Sequence, residues 1–376
     1  MPGIYIHIPY CKQKCHYCNF YSLATTRYRD ELVPALIHEM NLQQEYLNSK
    51  TISTIYFGGG TPSILKVSDV QKLLSAIYSF FPVDENVEIT LEANPDDLSK
   101  QKLSELKAIG INRLSIGIQS FEDKDLQFLH RNHTGRQAVN SIKRSQEAGF
   151  SNLSIDLIYG IPSLDSVHWE SNLLRALELN VPHISAYALT VEERTPLAVS
   201  ISRGKLPEID ESAQEQHFNI LVDLLEAHGY LHYEISNFCR PGSFSRHNSA
   251  YWKGDTYLGI GPSAHSYNGI SRQWNVSNLA LYYESIRQEK VHFEREMLSL
   301  AQRFNEYIMT SLRTMWGANL NVVQKEFGHE WVKQALSDSA KFLENDQLEI
   351  KDHVLYLTRK GKFLADGIAS EFFRVD

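Results

Sequence analysis

A chain of 376 residues with 43% hydrophobic content is long enough for a barrel-sized domain plus a smaller one, or for two to three ordinary domains. Its 37 basic and 45 acidic residues give a net charge of −8, which repels polyphosphate and sets nucleic acid aside as a partner. The amino-terminal MPGIYIHIPYC lacks a charged region followed by a long apolar stretch, and no run reaches the roughly 18 apolar residues of a membrane span; a cytoplasmic protein is expected, with peripheral membrane contact left open.

Six short apolar runs, at 4–8, 52–57, 87–92, 113–118, 153–157 and 183–186, read as buried strands. Between them, segments 29–47, 68–80, 99–109, 135–148 and 167–178 return apolar residues every three or four positions, the helical period. Gly110 and Gly149 fall just past two of these helices, where a left-handed cap needs no Cβ. Strand and helix alternate as right-handed crossovers to a parallel sheet require, so six rounds predict an α/β fold over residues 1–190, a TIM-type barrel or an incomplete, partial (βα)6 one. In such folds the chemistry gathers at the carboxyl ends of the strands.

The rhythm changes near residue 189. An amphipathic helix at 212–228 and a Gly- and Asn-rich stretch at 234–275 belong to a barrel extension assigned to 191–290. Residues 291–376 predict a mainly helical carboxyl-terminal unit, in which two helices and short strands at 348–350 and 353–357 resemble a winged helix. Its mixed local charge suits a packing or lid module better than a nucleic-acid reader.

Three of the four cysteines, Cys11, Cys15 and Cys18, fall within eight residues directly after the first strand, too close for a useful disulfide framework. A cubane cluster has four irons and takes thiolates; three protein ligands leave one iron free to accept a small molecule. Zinc held by these thiols and His16 is the alternative, although structural zinc sites usually pair two distant knuckles and no second pair occurs here. Cys239 reads as a buried or inert thiol.

The Cys spacing resembles that of the radical S-adenosylmethionine (SAM) superfamily. Tyr5-Ile6-His7-Ile8-Pro9, Tyr56 to Ser63, Glu92-Ala93-Asn94-Pro95, Arg113 to Phe121 and Ile155 to Pro162 extend the likeness to the oxygen-independent coproporphyrinogen III oxidase (HemN-like) group over nearly the whole chain. The resemblance implies a [4Fe–4S] cluster on Cys11, Cys15 and Cys18, bound SAM, and an electron donor that drives cleavage of SAM to methionine and a 5′-deoxyadenosyl radical. It also implies SAM contacts at Gly59, Gly60, Thr61, Glu92, Gln119, Arg131 and Asp156, with Tyr5 and Tyr17 near the cluster and adenine and a backbone contact at Ala188. Independently of any family, Asp156 between Ile155 and Leu157 can point into a barrel lumen, where a lone carboxylate needs a partner.

The oxidases of the group carry a further Cys two residues after the third cluster Cys, where this chain has Phe20, and an amino-terminal extension, whereas the first strand here is expected at residue 4. Arg246-His247-Asn248-Ser249-Ala250-Tyr251 instead fits the His-Asn-x-x-Tyr pattern of the HemW-like heme-chaperone branch. Imidazole and phenolate both serve as axial heme ligands, so His247 and Tyr251 are the expected heme contacts in a polar loop, beside Trp252 and Tyr257, with His265 as a second candidate. The resemblance then implies a protein, monomeric or weakly dimeric, that binds heme and hands it to heme-accepting apoproteins. The oxidase reading stands second.

Overall fold

The computed structural model describes residues 1–25, 27, 29–48 and 50–375. The six expected strands form as β1 (Gly3–Ile8), β2 (Ile52–Gly59), β3 (Val83–Ala93), β4 (Arg113–Gln119), β5 (Asn152–Tyr159) and β6 (His183–Ala188), paired in parallel and in chain order. Sequential order with a helix in each crossover is the winding of a barrel wall rather than of a doubly wound sheet. Three of the crossover helices start at side-chain caps: Ser99 for Lys100–Ala108, Thr134 with Gln137 for Gly135–Glu147, and Asp165 for Ser166–Glu178. Gly110 and Gly149 take φ of 98° and 84°, as expected of left-handed caps.

The sheet then grows at both edges. Beyond β6 lie the antiparallel β7 (Leu231–Glu234) and β8 (Asn237–Cys239), in the order β6-β8-β7. Next to β1 runs β9 (Tyr257–Ile260), in parallel, followed outward by β10 (His265–Tyr267), β11 (Ser271–Asn275) and β12 (Phe293–Met297). The result is a twelve-stranded sheet, and no pairing joins its two edges among the described residues. The Gly- and Asn-rich stretch, for which no strands were expected, supplies β8 to β11 and the helix Arg246–Trp252. Strands of three to five residues carry too little periodicity to be read, and their partners lie far along the chain. β12 also carries the large sheet past the boundary expected at residue 290.

Buried Glu39, on the helix Arg29–Leu42, fastens the β9 edge. It accepts hydrogen bonds from the Tyr282 hydroxyl at 2.6 Å, the Asn275 amide at 2.6 Å and the Gly261 N–H at 2.8 Å. The helix expected to run to residue 47 ends at Leu42, and residues 43–48 form turns closed by Asn48 at φ 51°.

The carboxyl-terminal part has its own core, built on Phe304, Ile308, Leu312, Val323, Leu355 and Phe372. Helices Leu320–Glu326 and His329–Glu344 precede β14 (Leu348–Lys351) and β15 (Val354–Leu357), which join β13 (Ala318–Asn319) in a sheet ordered β13-β15-β14, the shape of a winged helix. Arg313 ties this unit to the large sheet by an ion pair to Glu234 at 3.1 Å. No helix among the described residues is long and apolar enough to cross a membrane.

Candidate functional site

Alternation along a strand sends neighbouring side chains to opposite faces. On β1 the isoleucines 4, 6 and 8 join the apolar core with the surrounding helices, so Tyr5 and His7 face the lumen. The same parity puts Thr54 and Tyr56, Glu88, Thr90 and Glu92, Arg113 and Ser115, Ser154 and Asp156, and Ser185 and Tyr187 inside. The lumen is polar throughout. Its centre is a cavity of about 60 Å³ lined by Tyr56, Glu92, Arg113, Ser115, Ser154, Asp156, Ser185, Tyr187, Ser245 and Asn248. A wider groove of about 700 Å³ lies outside the barrel, between the helices Arg29–Leu42 and Val67–Phe80, and contains none of the expected site residues.

Two of the three lumen carboxylates, Glu92 and Asp156, are partly buried at its centre. Tyr56 donates to Glu92 at 2.8 Å, and Ser115 donates to Asp156 at 3.3 Å, but neither acid has a cationic ion-pair partner among the described residues. Burial therefore pushes Glu92 up to about 7 and Asp156 up to about 6. Such a pair of acids is poised to receive a positively charged guest. Tyr5 stands beside them, its ring stacked on Tyr56 at 6.1 Å and its hydroxyl 3.2 Å from His7 Nδ1.

The Cys loop leaves the carboxyl end of β1 and is anchored by its neighbours. His7 Nε2 lies 2.9 Å from the Tyr21 carbonyl, and the Cys11 and Leu23 amides pair with the Leu23 and Pro9 carbonyls at 3.1 and 2.7 Å. Gly59, at φ 108°, lies against the His7 ring, where a Cβ would come to 2.7 Å. At Gly60 a Cβ would come to 2.7 Å from the Tyr10 carbonyl and 3.0 Å from Cys11 Sγ, so only glycine lets this turn approach the loop so closely.

Donors surround the thiols. Thr61 Oγ1 donates to Cys11 Sγ at 3.4 Å, and Arg131 Nη1 donates to Cys15 Sγ at 3.2 Å. The other Arg131 amino group donates to Asn94 Oδ1 at 2.7 Å and the Gly117 carbonyl at 2.8 Å, while its Nε has no partner among the described residues. Burial raises the Cys11 and Cys18 thiols, so their thiolates need an added positive charge. All three cysteines are free and half-buried. No three metal-binding groups converge on a single ion among the described residues. A cubane has no such need, because each thiolate takes a different iron. The donor set fits an iron–sulfur cluster.

The other expected residues fall as follows. Gln119 ends β4 at φ 66°, Asp156 sits in mid-strand on β5, and Ala188 is the last residue of β6. Tyr17 packs against the main core beside the loop. Cys239 is buried in β8, and burial pushes its thiol up to about 12, in keeping with an inert group.

His247 does not sit in a solvated polar loop. It lies in the first turn of the helix Arg246–Trp252, which plugs the lumen floor, and only 1% of its surface is exposed. Its Nδ1 lies 2.7 Å from Thr54 Oγ1, its Nε2 2.8 Å from the Tyr251 hydroxyl, and its ring stacks on Tyr56 at 4.9 Å. Both nitrogens are occupied, and Tyr251 is spent on His247 and on an edge contact with Tyr257 at 4.5 Å. Tyr251, Trp252 and Tyr257 are partly buried, and the two residues expected to contact heme are bonded to each other. His265 is exposed on β10 against Trp274.

Sequence reasoning missed His7, Thr54, Tyr56, Glu88, Arg113 and the three lumen serines. The signal was there, in the alternate polar positions of β1 to β6.

Residues 5–172 match the family model described as the Radical SAM superfamily. The heme chaperone HemW of Bacillus subtilis (strain 168) is 33% identical over 375 residues, covering 99% of each chain. HemW of Escherichia coli (strain K12) is 36% identical over 267 residues, 70% of this chain and 69% of that one. The coproporphyrinogen III oxidase HemN of Escherichia coli, a radical SAM enzyme, superposes with a TM-score of 0.86 over 99% of this chain and 90% of that one, at 22% identity.

Proposed function

The chain belongs to the HemW branch of the radical SAM superfamily, and from that premise we propose that it binds heme and delivers it to apoproteins. The reading is supported above all by similarity to heme chaperones along the full length of both chains, with Phe20 where the oxidases of the group carry a further Cys.

In this reading Cys11, Cys15 and Cys18 hold a [4Fe–4S] cluster with one iron open to SAM, and the cluster supplies single electrons to the bound sulfonium. The chain's own residues bind and position. Gly59, Gly60 and Thr61 offer backbone and hydroxyl groups to the methionine end of SAM. Glu92 and Asp156 meet its positive charge and its ribose, Gln119, Tyr5 and Ala188 flank the nucleoside, and Arg131 balances charge at Cys15.

Anaerobic incubation of the reconstituted protein with coproporphyrinogen III, SAM and a reductant is expected to yield no protoporphyrinogen IX. Heme-loaded protein mixed with an apo-hemoprotein is expected to give up its heme. Steady multiple-turnover formation of protoporphyrinogen IX would instead establish the oxidase reading.

A further inference from the structure

An axial heme ligand needs an imidazole lone pair aimed at open space wide enough for a flat macrocycle. His247 fails this requirement, because releasing either nitrogen strands Thr54 or Tyr251 in the lumen floor. His265 is exposed, but its ring makes no hydrogen bond among the described residues that would fix its orientation. A third histidine is exposed and has one ring nitrogen held and the other free.

His130 is exposed at the barrel mouth, between Leu129 and the Arg131 that reaches Cys15. Its Nδ1 lies 3.1 Å from the Lys14 carbonyl, which fixes the proton on that nitrogen and leaves Nε2 with a free lone pair. The ring is stacked on that of His16, centroids 4.3 Å apart and planes 8° from parallel. Two further bonds hold the segment to the Cys loop: Gln13 Nε2 to the His130 carbonyl at 3.3 Å, and the His16 amide to the Leu129 carbonyl at 3.4 Å. The backbone at His130 has φ 59°, a conformation that favours glycine, yet an imidazole stands there. Two chemical needs of a heme are met on the same loop. Lys14 presents an exposed ammonium with no carboxylate partner among the described residues, suited to a propionate, and Phe20 is 70% exposed.

We propose that His130, backed by its stacked partner His16, is the axial ligand through which this chain holds heme iron, at the barrel mouth beside the Cys loop and not at His247. The assignment rests on the heme-binding reading above. It makes the barrel mouth the point where cluster, SAM and heme meet, and it leaves the His-Asn-x-x-Tyr motif as the plug that closes the lumen from below.

The test is an anaerobic hemin titration of the cluster-loaded protein, followed by the Soret band, for wild type, His130→Gly and His247→Gln. Glycine relieves the backbone at φ 59°, so His130→Gly is expected to fold and to keep its iron and sulfide content. It should bind hemin at least about tenfold more weakly and lose the imidazole-ligated spectrum, which free imidazole should restore. His247→Gln should keep wild-type hemin affinity. Wild-type hemin binding by a cluster-intact His130→Gly would overturn the assignment while leaving the chaperone reading in place, as would loss of binding in His247→Gln alone. A wild-type protein that takes up no hemin would overturn both.

Discussion

Cys15→Ser is expected to purify with about a tenth or less of the wild-type iron and acid-labile sulfide after anaerobic reconstitution, and to show no SAM-dependent spectral change. Two thiolates cannot hold a cubane against loss, and a serine hydroxyl is a poor, protonated substitute. Arg131 would also lose the sulfur that its Nη1 faces at 3.2 Å. The fold should survive, because Cys15 lies in a half-buried loop outside both apolar cores, and the change in unfolding free energy should stay within about 1 kcal/mol for the cluster-free proteins. Cys239→Ser supplies the opposite pattern. It should retain the cluster and lose about 1–2 kcal/mol of stability, since it puts a hydroxyl in the buried β8 position. Iron and sulfide analysis beside thermal melts of the two variants separates these expectations, and a Cys15→Ser protein with a full complement of iron would refute the ligand assignment.

The second large effect is pH dependence. In the SAM-free protein burial pushes Glu92 up to about 7 and Asp156 up to about 6, and the Asp156 charge raises Glu92 further. A carboxyl whose folded pKa lies above its unfolded value binds more protons when folded, so stability is highest below the unfolded pKa and is lost as pH rises through the folded one. Between about pH 4.5 and 7 the SAM-free protein should therefore lose about 3 kcal/mol through Glu92 alone. Glu92→Gln should flatten that loss and melt higher than wild type at pH 8. SAM brings a sulfonium and an ammonium, which favour the charged carboxylates. Its binding should release protons, and its affinity should climb from pH 5.5 to 7.5 and then level off. Glu92→Gln should bind SAM at least about tenfold more weakly at pH 8, the usual scale for a lost bond to a charged group. Calorimetric titration in two buffers of different ionisation enthalpy measures both the affinity and the proton release; proton uptake would contradict the assignment.

The barrel was legible because its parallel strands are buried on their outer side by amphipathic helices, and Ile4-Ile6-Ile8 or Ile155-Leu157 announces that burial without help from distant residues. The Cys loop was legible from three thiols at short spacing. Other features depend on pairings that no local window contains. β9 lies beside β1 with Gly3 opposite Tyr257, and four residues of strand give no period to read. His247 was misread as lying in a polar loop for a deeper reason. Its surroundings are Thr54, Tyr56, Glu88 and Tyr251, so a polar neighbourhood that normally signals solvent here signals the inside of a polar lumen. His130 and His16 lie more than a hundred positions apart, and only the clamp of residues 129–131 on the Cys loop brings the two rings together.

The central claim, an open-iron cubane on Cys11, Cys15 and Cys18, is tested most directly by electron paramagnetic resonance of the anaerobically reconstituted, reduced protein before and after SAM is added. A reduced [4Fe–4S] signal whose g values shift with SAM is the predicted result. Zinc in place of iron, or a cluster spectrum that SAM leaves unchanged, would contradict it.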